Sequence, residues 1–380
     1  MKASDYPFHV MAKPGGATCN LACRYCYYLD KSALHPSTRF PRMSDAMLER
    51  YVANLIASHP EGAEVIFSWQ GGEPALLGLD FYRRAVELQR RHAGSRRVEN
   101  TFQTNGTLLD DDWCRFLVRE RFLVGLSLDG PAEIHDIYRR YAGGRASHTA
   151  VMRGLHRLQA HGVEFNLLAC VHRQSSQHPL AVYDFLRSTG ARFIQFIPVV
   201  ERSPEHDEVT EWSVQADAYG EFMCAVFDHW YERDAGDVVV MNFEWALASF
   251  IGLPGAVCHH QPVCGRALAV EHDGRVYACD HFVAPQYRLG NINDDALSAL
   301  VDAPRQQAFG RSKFDALPAS CLRCPVVRAC WGGCPKHRFV TDAAAEKPLN
   351  FLCAGYKRFF THVAPALGGL AERVSRNRIA

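Results

Sequence analysis

The chain has 380 residues, 42 Lys and Arg against 41 Asp and Glu, and 48% apolar residues. This is globular composition, sufficient for one large core or two domains, and a net charge of +1 removes the electrostatic case for a nucleic-acid or membrane-surface binder. Low-complexity disorder does not fit 48% apolar and 22% charged residues. Met1–Gly16 holds no apolar signal core or cleavage site. The longest apolar stretch, Trp245–Val257, contains Pro254 and falls short of the roughly 20 residues a bilayer span needs. A cytoplasmic protein with no membrane or nucleic-acid partner is expected. Its 14 cysteines therefore point to metal rather than disulfides.

In chain order, apolar runs predict strands at Phe8–Ala12, Val65–Trp69, Asn100–Thr104, Leu123–Leu128, Phe165–Val171 and Phe193–Pro198. Helical periodicity falls between them. Leu48, Tyr51, Val52 and Leu55 mark a helix over Met47–Ile56, and Val151, Leu155 and Leu158 mark another. Tyr219, Phe222, Met223, Val226, Phe227 and Trp230 mark a third. Alternating strands and helices over residues 1–235 predict an α/β domain with a parallel sheet. Periodicity leaves an incomplete barrel and a doubly wound sheet both open; either binds ligands at the carboxyl ends of its strands. Glu201–Glu211 reads as a solvated acidic loop and residues 236–257 as a bridge. Residues 258–353 carry short elements, turns and cysteines, as in a segment that folds around metal. Residues 354–380 read as a terminal helical segment.

Cys19, Cys23 and Cys26 have C-x3-C-x2-C spacing just after the first strand. Three thiolates hold three irons of a [4Fe–4S] cube and leave the fourth open to a small molecule. Gly71-Gly72-Glu73-Pro74 follows the second strand; its glycines permit close backbone approach and its carboxylate complements a cation. Asn105-Gly106, closing the third strand, reads as a turn. A later array holds Cys258, Cys264, Cys279, Cys321, Cys324, Cys330, Cys334 and Cys353. Eight thiols suit two fully ligated [4Fe–4S] clusters, and would equally make two four-thiolate zinc sites. His259 and His260 are then not needed as ligands. Cys114, Cys170 and Cys224 read as small apolar residues.

The first cysteine motif, with Tyr25 before its last cysteine, resembles the radical S-adenosylmethionine (SAM) superfamily. The later array is similar to the SPASM extension. These resemblances imply a partial (β/α)6 radical SAM barrel followed by a small cysteine-rich SPASM domain binding two iron–sulfur clusters. With the open cluster, that makes three [4Fe–4S] clusters. They imply SAM contacts from Tyr25, Gly72, Ser127, Arg139 and Val200. The implied ligation interleaves: Cys258, Cys264, Cys279 and Cys334 hold the first auxiliary cluster, and Cys321, Cys324, Cys330 and Cys353 the second.

Within that class the chain resembles the anaerobic sulfatase-maturating enzymes. The match is carried by Met11-Ala-Lys-Pro14, Cys19 to Leu29, Trp69 to Pro74, Gln103 to Thr107, Ser127 to Pro131, Val276 to Asp280 and Arg288 to Ile292. The resemblance implies oxidation of a cysteine or serine in a sulfatase Cys/Ser-x-Pro-x-Arg motif to formylglycine. The substrate is a nascent or unfolded sulfatase, and a flavodoxin- or ferredoxin-type donor supplies electrons. Asp280 is the implied base, with a pKa expected to rise on burial. Tyr28 and Gln70 are candidate substrate contacts. Two rival readings are a peptide crosslinker forming thioether or carbon–carbon bonds and a zinc-stapled scaffold without catalysis.

Overall fold

The computed structural model describes residues 3–34, 40–203, 208–253, 255, 257–341 and 347–379. Residues 204–207 of the predicted acidic loop, and Pro254, lie outside them. The strands are β1 His9–Lys13, β2 Glu64–Trp69, β3 Arg97–Thr104, β4 Phe122–Ser127, β5 Phe165–Val171, β6 Phe193–Pro198, β7 Val239–Val240, β8 Ala267–Glu271, β9 Arg275–Tyr277 and β10 Arg288–Asn291. The chain divides into two compact units, the first being Met1–Ser127, Asp136–Phe165 and Gly265–Gly310. The second is Leu128–His135, Asn166–Cys264 and Arg311–Ala380.

In the first unit the strand order is β10-β9-β8-β1-β2-β3-β4. Strands β1 to β4 are parallel neighbours in chain order, and β8 adds in parallel to the other side of β1. No reversal of strand order occurs from β1 to β4. That excludes the doubly wound alternative, which needs such a switch point, and gives the winding of a partial barrel. Sequence pattern explains the packing. Val65, Phe67 and Trp69 alternate inward along β2, as a strand's period of two requires. Leu48, Tyr51, Val52 and Leu55 bury one face of the helix Asp45–Ala57, which Ser44 caps by accepting from the Met47 amide. Tyr51, Phe67, Trp69, Phe81, Tyr82, Phe102 and Trp113 form a chain of aromatic contacts between these layers.

The second unit contains the parallel run β5-β6-β7. Its helices Ala216–Arg233 and Cys353–Ile379 approach at two glycines. A Cβ on Gly220 would meet the Gly355 Cα at 2.8 Å, and one on Gly355 would meet the Ala216 oxygen at 2.1 Å. The apolar stretch at Trp245 contributes the end of the helix Met241–Phe250. No helix among the described residues is long and apolar enough to cross a membrane.

Candidate active site

Strand register brings three polar residues to one end of the sheet. Ala12 pairs with Trp69 and Lys13 with Glu271, and Gln70 continues β2 by donating its amide to the Ala12 oxygen at 2.9 Å. Lys13 is 1% exposed. Its ammonium lies 2.5 Å from Asp280 Oδ1, donates to Gln70 Oε1 at 3.4 Å and sits over the Tyr28 ring at 4.5 Å. Asp280 opens a single 3-10 turn after Cys279, and its Oδ2 accepts from the Tyr27 hydroxyl. The Tyr28 hydroxyl donates to buried Glu271. The buried ammonium thus meets Asp280, Gln70 and the Tyr28 ring, and Tyr27 and Glu271 extend the network from Asp280 and Tyr28.

The three-cysteine loop lies beside this network. Its backbone folds tightly, with the Cys26 amide donating to the Cys23 oxygen at 3.0 Å. The Leu21 amide donates to Cys19 Sγ at 3.3 Å, and the Tyr28 and Leu29 amides favour the Cys26 thiolate. Amide donors of this kind stabilise cluster-bound sulfur. Burial nonetheless pushes the Cys19 thiol up to about 11 and raises Cys26, against the pull of those amides, Arg139 and Lys13. An all-sulfur donor set with amides aimed at it fits an iron–sulfur cluster, which would hold these groups as thiolates.

Gly71-Gly72-Glu73 backs this loop at backbone distance. Gly72 donates to the Gly16 oxygen and Glu73 to the Thr18 oxygen, each at 2.8 Å. A Cβ on Gly72 would stand 2.1 Å from the Thr18 oxygen, so only glycine fits. Glu73 turns inward. It accepts from the Ala75 amide at 2.9 Å, the Thr104 hydroxyl at 2.7 Å and the Asn105 amide at 2.7 Å. Burial outweighs these donors and pushes its carboxyl up to about 7. Through these bonds the carboxyl ties the turn after β2 to the end of β3. Asn105 also donates to Asn20 at 2.9 Å, so the predicted Asn-Gly turn reaches the cysteine loop.

The segment Tyr138–Tyr141 binds the other side of the loop through Ala22 to Arg140 and Arg24 to Tyr138 backbone bonds. This stacks the buried Arg139 guanidinium on Tyr25 at 5.4 Å from the ring centre. Ser127 ends β4 and accepts from Gln103 at 3.1 Å. Val200 is buried just beyond β6 in the second unit.

The later cysteines of the second unit form two neighbourhoods. Cys264 feels Cys258 and Cys334, and Cys334 feels Cys258. Separately, Cys330 feels Cys321 and Cys353, while Cys321 and Cys353 each feel Cys324. Cys279 belongs to the first unit.

Comparison with known proteins places these features. A model of the radical SAM superfamily matches residues 14–186, and one of an iron–sulfur cluster-binding domain, SPASM, matches 258–325. A serine-type anaerobic sulfatase-maturating enzyme of Bacteroides thetaiotaomicron is 41% identical over 96% of this chain and 92% of its own length. The chain belongs to the anaerobic sulfatase-maturating enzymes. It is accordingly a radical SAM enzyme with a SPASM iron–sulfur domain, and the zinc-scaffold reading falls. A cysteine-type anaerobic sulfatase-maturating enzyme of Clostridium perfringens is 33% identical over 97% of this chain and 99% of the relative. The solved structure of native anSMEcpe with bound AdoMet and Cp18Cys peptide superposes with a TM-score of 0.88 at 32% identity, covering 97% of this chain and all of that one.

Among sulfatase-maturating enzymes the candidate base is of most interest, and here the structure departs from expectation. Burial by itself would raise the Asp280 pKa, but Lys13, His281 and the Tyr27 hydroxyl outweigh it and hold the carboxyl below its ordinary value. Sequence reasoning also gave no role to Lys13, Tyr27, Glu271 or Thr104. The only signal for Lys13 was a lysine closing an apolar strand inside the Met-Ala-Lys-Pro match.

Proposed function

We propose that the chain oxidises a serine or cysteine in a sulfatase Cys/Ser-x-Pro-x-Arg motif to formylglycine. One observation carries the reading. A buried carboxylate, Asp280, is held ionised by Lys13 and hydrogen-bonded to the residue that follows the third cysteine of the loop. Cys19, Cys23 and Cys26 would hold the open cluster, with Tyr25, Gly72, Ser127, Arg139 and Val200 receiving SAM. Cys321, Cys324, Cys330 and Cys353 would close one auxiliary cluster. Cys258, Cys264 and Cys334, with Cys279 as the resemblance implies, would close the other, making three. The two cysteine neighbourhoods support this interleaved partition over pairing by adjacency in sequence. When bound, these groups supply a deoxyadenosyl radical that takes one hydrogen atom from the target Cβ, and closed clusters that take up the remaining electron.

The protein's own residues manage the proton. Oδ1 of Asp280 is ion-paired with Lys13 and Oδ2 accepts from Tyr27, each oxygen keeping a further lone pair, so the ionised group accepts the target hydroxyl or thiol proton. Loss of the Cβ hydrogen acidifies that proton, which lets a weak base suffice. Gln70, fixed by β1 and by Lys13, would orient the target side chain, as would Tyr28. The greater identity to the serine-type relative, 41% against 33% for the cysteine-type one, favours a serine target. The partner is an unfolded or nascent sulfatase in the cytoplasm, with a flavodoxin- or ferredoxin-type donor.

The test is incubation of reconstituted enzyme, SAM and reductant with Ser- and Cys-containing motif peptides, followed by mass analysis and trapping with a hydrazide. A carbonyl on the target residue, formed faster from serine, is expected. A dehydrogenated product that no hydrazide traps would be a crosslink and would overturn the reading.

A further inference from the structure

The second unit holds one buried cation, Lys313, and one partly buried cation, Arg338. Lys313 is 1% exposed, and its ammonium donates to the backbone oxygens of Gln261 and of Trp331, the latter at 3.0 Å. Arg338 donates to the oxygens of Lys313 at 2.5 Å, Trp331 at 2.8 Å and Gly332 at 3.0 Å. Among the described residues neither makes an ion pair with a carboxylate. The neighbours that favour their charge are cysteines, in the thiolate form a cluster would hold: Cys258, Cys264 and Cys330 for Lys313, and Cys264, Cys321, Cys330 and Cys334 for Arg338. Each cation therefore faces both cysteine neighbourhoods.

The backbone between those neighbourhoods is shaped around the pair. Trp331, Gly332 and Gly333 follow one another with φ of 45°, 66° and 59°, a left-handed run linking Cys330 to Cys334. It turns the Trp331 oxygen onto both Lys313 and Arg338. A Cβ on Gly332 would meet Arg338 Nη2 at 2.8 Å. Asn350 pins the same run by donating to the Gly332 oxygen at 3.1 Å and the Cys334 oxygen at 3.2 Å.

Burying charge without a counter-ion is costly, and carbonyl dipoles only partly compensate it. A cluster closed by four thiolates carries net negative charge in both oxidation states, and more when reduced. We infer that Lys313 and Arg338 are a shared counter-charge for the two auxiliary clusters, raising the reduction potential of both. This rests on the assignment of two closed clusters made above. Both are positioning residues. They touch no substrate, and they favour the form of each cluster that has gained one electron, with no bond made or broken.

The test uses the full-length chain carrying Cys19→Ala, Cys23→Ala and Cys26→Ala, so that only auxiliary signals remain. Iron per chain and a paramagnetic-resonance reductive titration are read for this chain and for the same chain with Lys313→Gln or Lys313→Arg. Gln keeps an amide donor for the two carbonyls and removes the charge; Arg keeps the charge. Lys313→Gln is expected to load the same iron and to show a tenfold lower reduced-to-oxidised ratio at a fixed poise, which is 59 mV for one electron. Lys313→Arg should titrate like the parent. Failure of Gln but not Arg to load iron also supports the counter-charge. Equal titration by all three overturns it, as does failure of both substitutions to load, which would mark a packing role. A parent without auxiliary iron overturns the cluster assignment instead.

Discussion

Asp280 and Lys13 are each other's counter-ion in a site closed to solvent, so removing either leaves an uncompensated charge. Loss of one partner of such a pair costs about 3–5 kcal/mol, which lowers the melting temperature of Asp280→Asn and of Lys13→Met alike. The double variant should recover most of that stability while staying inactive, because the proposed proton acceptor is gone. On the proposed reaction, in which hydrogen abstraction can precede deprotonation, Asp280→Asn should still release 5′-deoxyadenosine, with formylglycine reduced about 100-fold or more. Formylglycine at the wild-type rate would move the base elsewhere. Glu73 is titratable in a different sense. Its folded pKa of about 7 lies above the unfolded value, so the native state holds a proton the unfolded chain has lost. Stability from this group is complete below the unfolded carboxyl pKa and falls as pH rises through about 7. Melting curves should show a loss of about 1 kcal/mol between pH 6 and 8, flattened in Glu73→Gln. The cysteine motifs stand out in the sequence because their spacing is local, whereas Asp280 is a candidate through the family resemblance alone. Lys13 was not legible, because its partner comes from the far end of the chain, and a strand-terminal lysine ordinarily means solvent.

At the scale of elements, the crossing of the helices Ala216–Arg233 and Cys353–Ile379 depends on absent side chains. A methyl on Gly355 would have to occupy the space of the Ala216 oxygen, 2.1 Å from the added carbon. Gly355→Ala should therefore push the helices apart at about 1–3 kcal/mol. Cys353, two residues away, would shift with it. Thermal melting and iron content report the two effects, and the proposal expects loss of about four irons. Strands were read closely: β5 and β6 fall where their apolar runs predict, and β1, β2 and β4 begin within a residue of expectation. β3 starts earlier, at Arg97, because Arg97 and Glu64 pair across the register at 3.2 Å, and such charged residues carry no apolar signal. The helix Leu79–His92 escaped notice because Arg83, Arg84, Glu87, Arg90 and Arg91 interrupt its buried face of Phe81, Tyr82, Ala85, Val86 and Leu88.

For the molecule as a whole, the proposal of one open and two closed clusters predicts about twelve irons per chain, and about eight with Cys19, Cys23 and Cys26 all changed to Ala. That triple variant should cleave no SAM; a wild-type content near four would remove the auxiliary pair. The barrel winding itself could be narrowed from sequence but not chosen, because periodicity reports faces and not neighbours. Strand pairing decides it: β1 to β4 are neighbours in chain order, and β8 lies on the other side of β1. That pairing also sets a timetable. β1 leaves the ribosome long before β8, its second neighbour, which begins at Ala267. At about 5–20 residues per second, synthesis keeps the two apart for roughly 10–50 s. Throughout that interval β1 presents an unpaired parallel edge, and the lysine that closes it has no carboxylate to meet. A chain released before its last third is thus no partial enzyme. It is an open sheet edge with an uncompensated lysine, a substrate for proteolysis, and full-length synthesis is the step that licenses the active site.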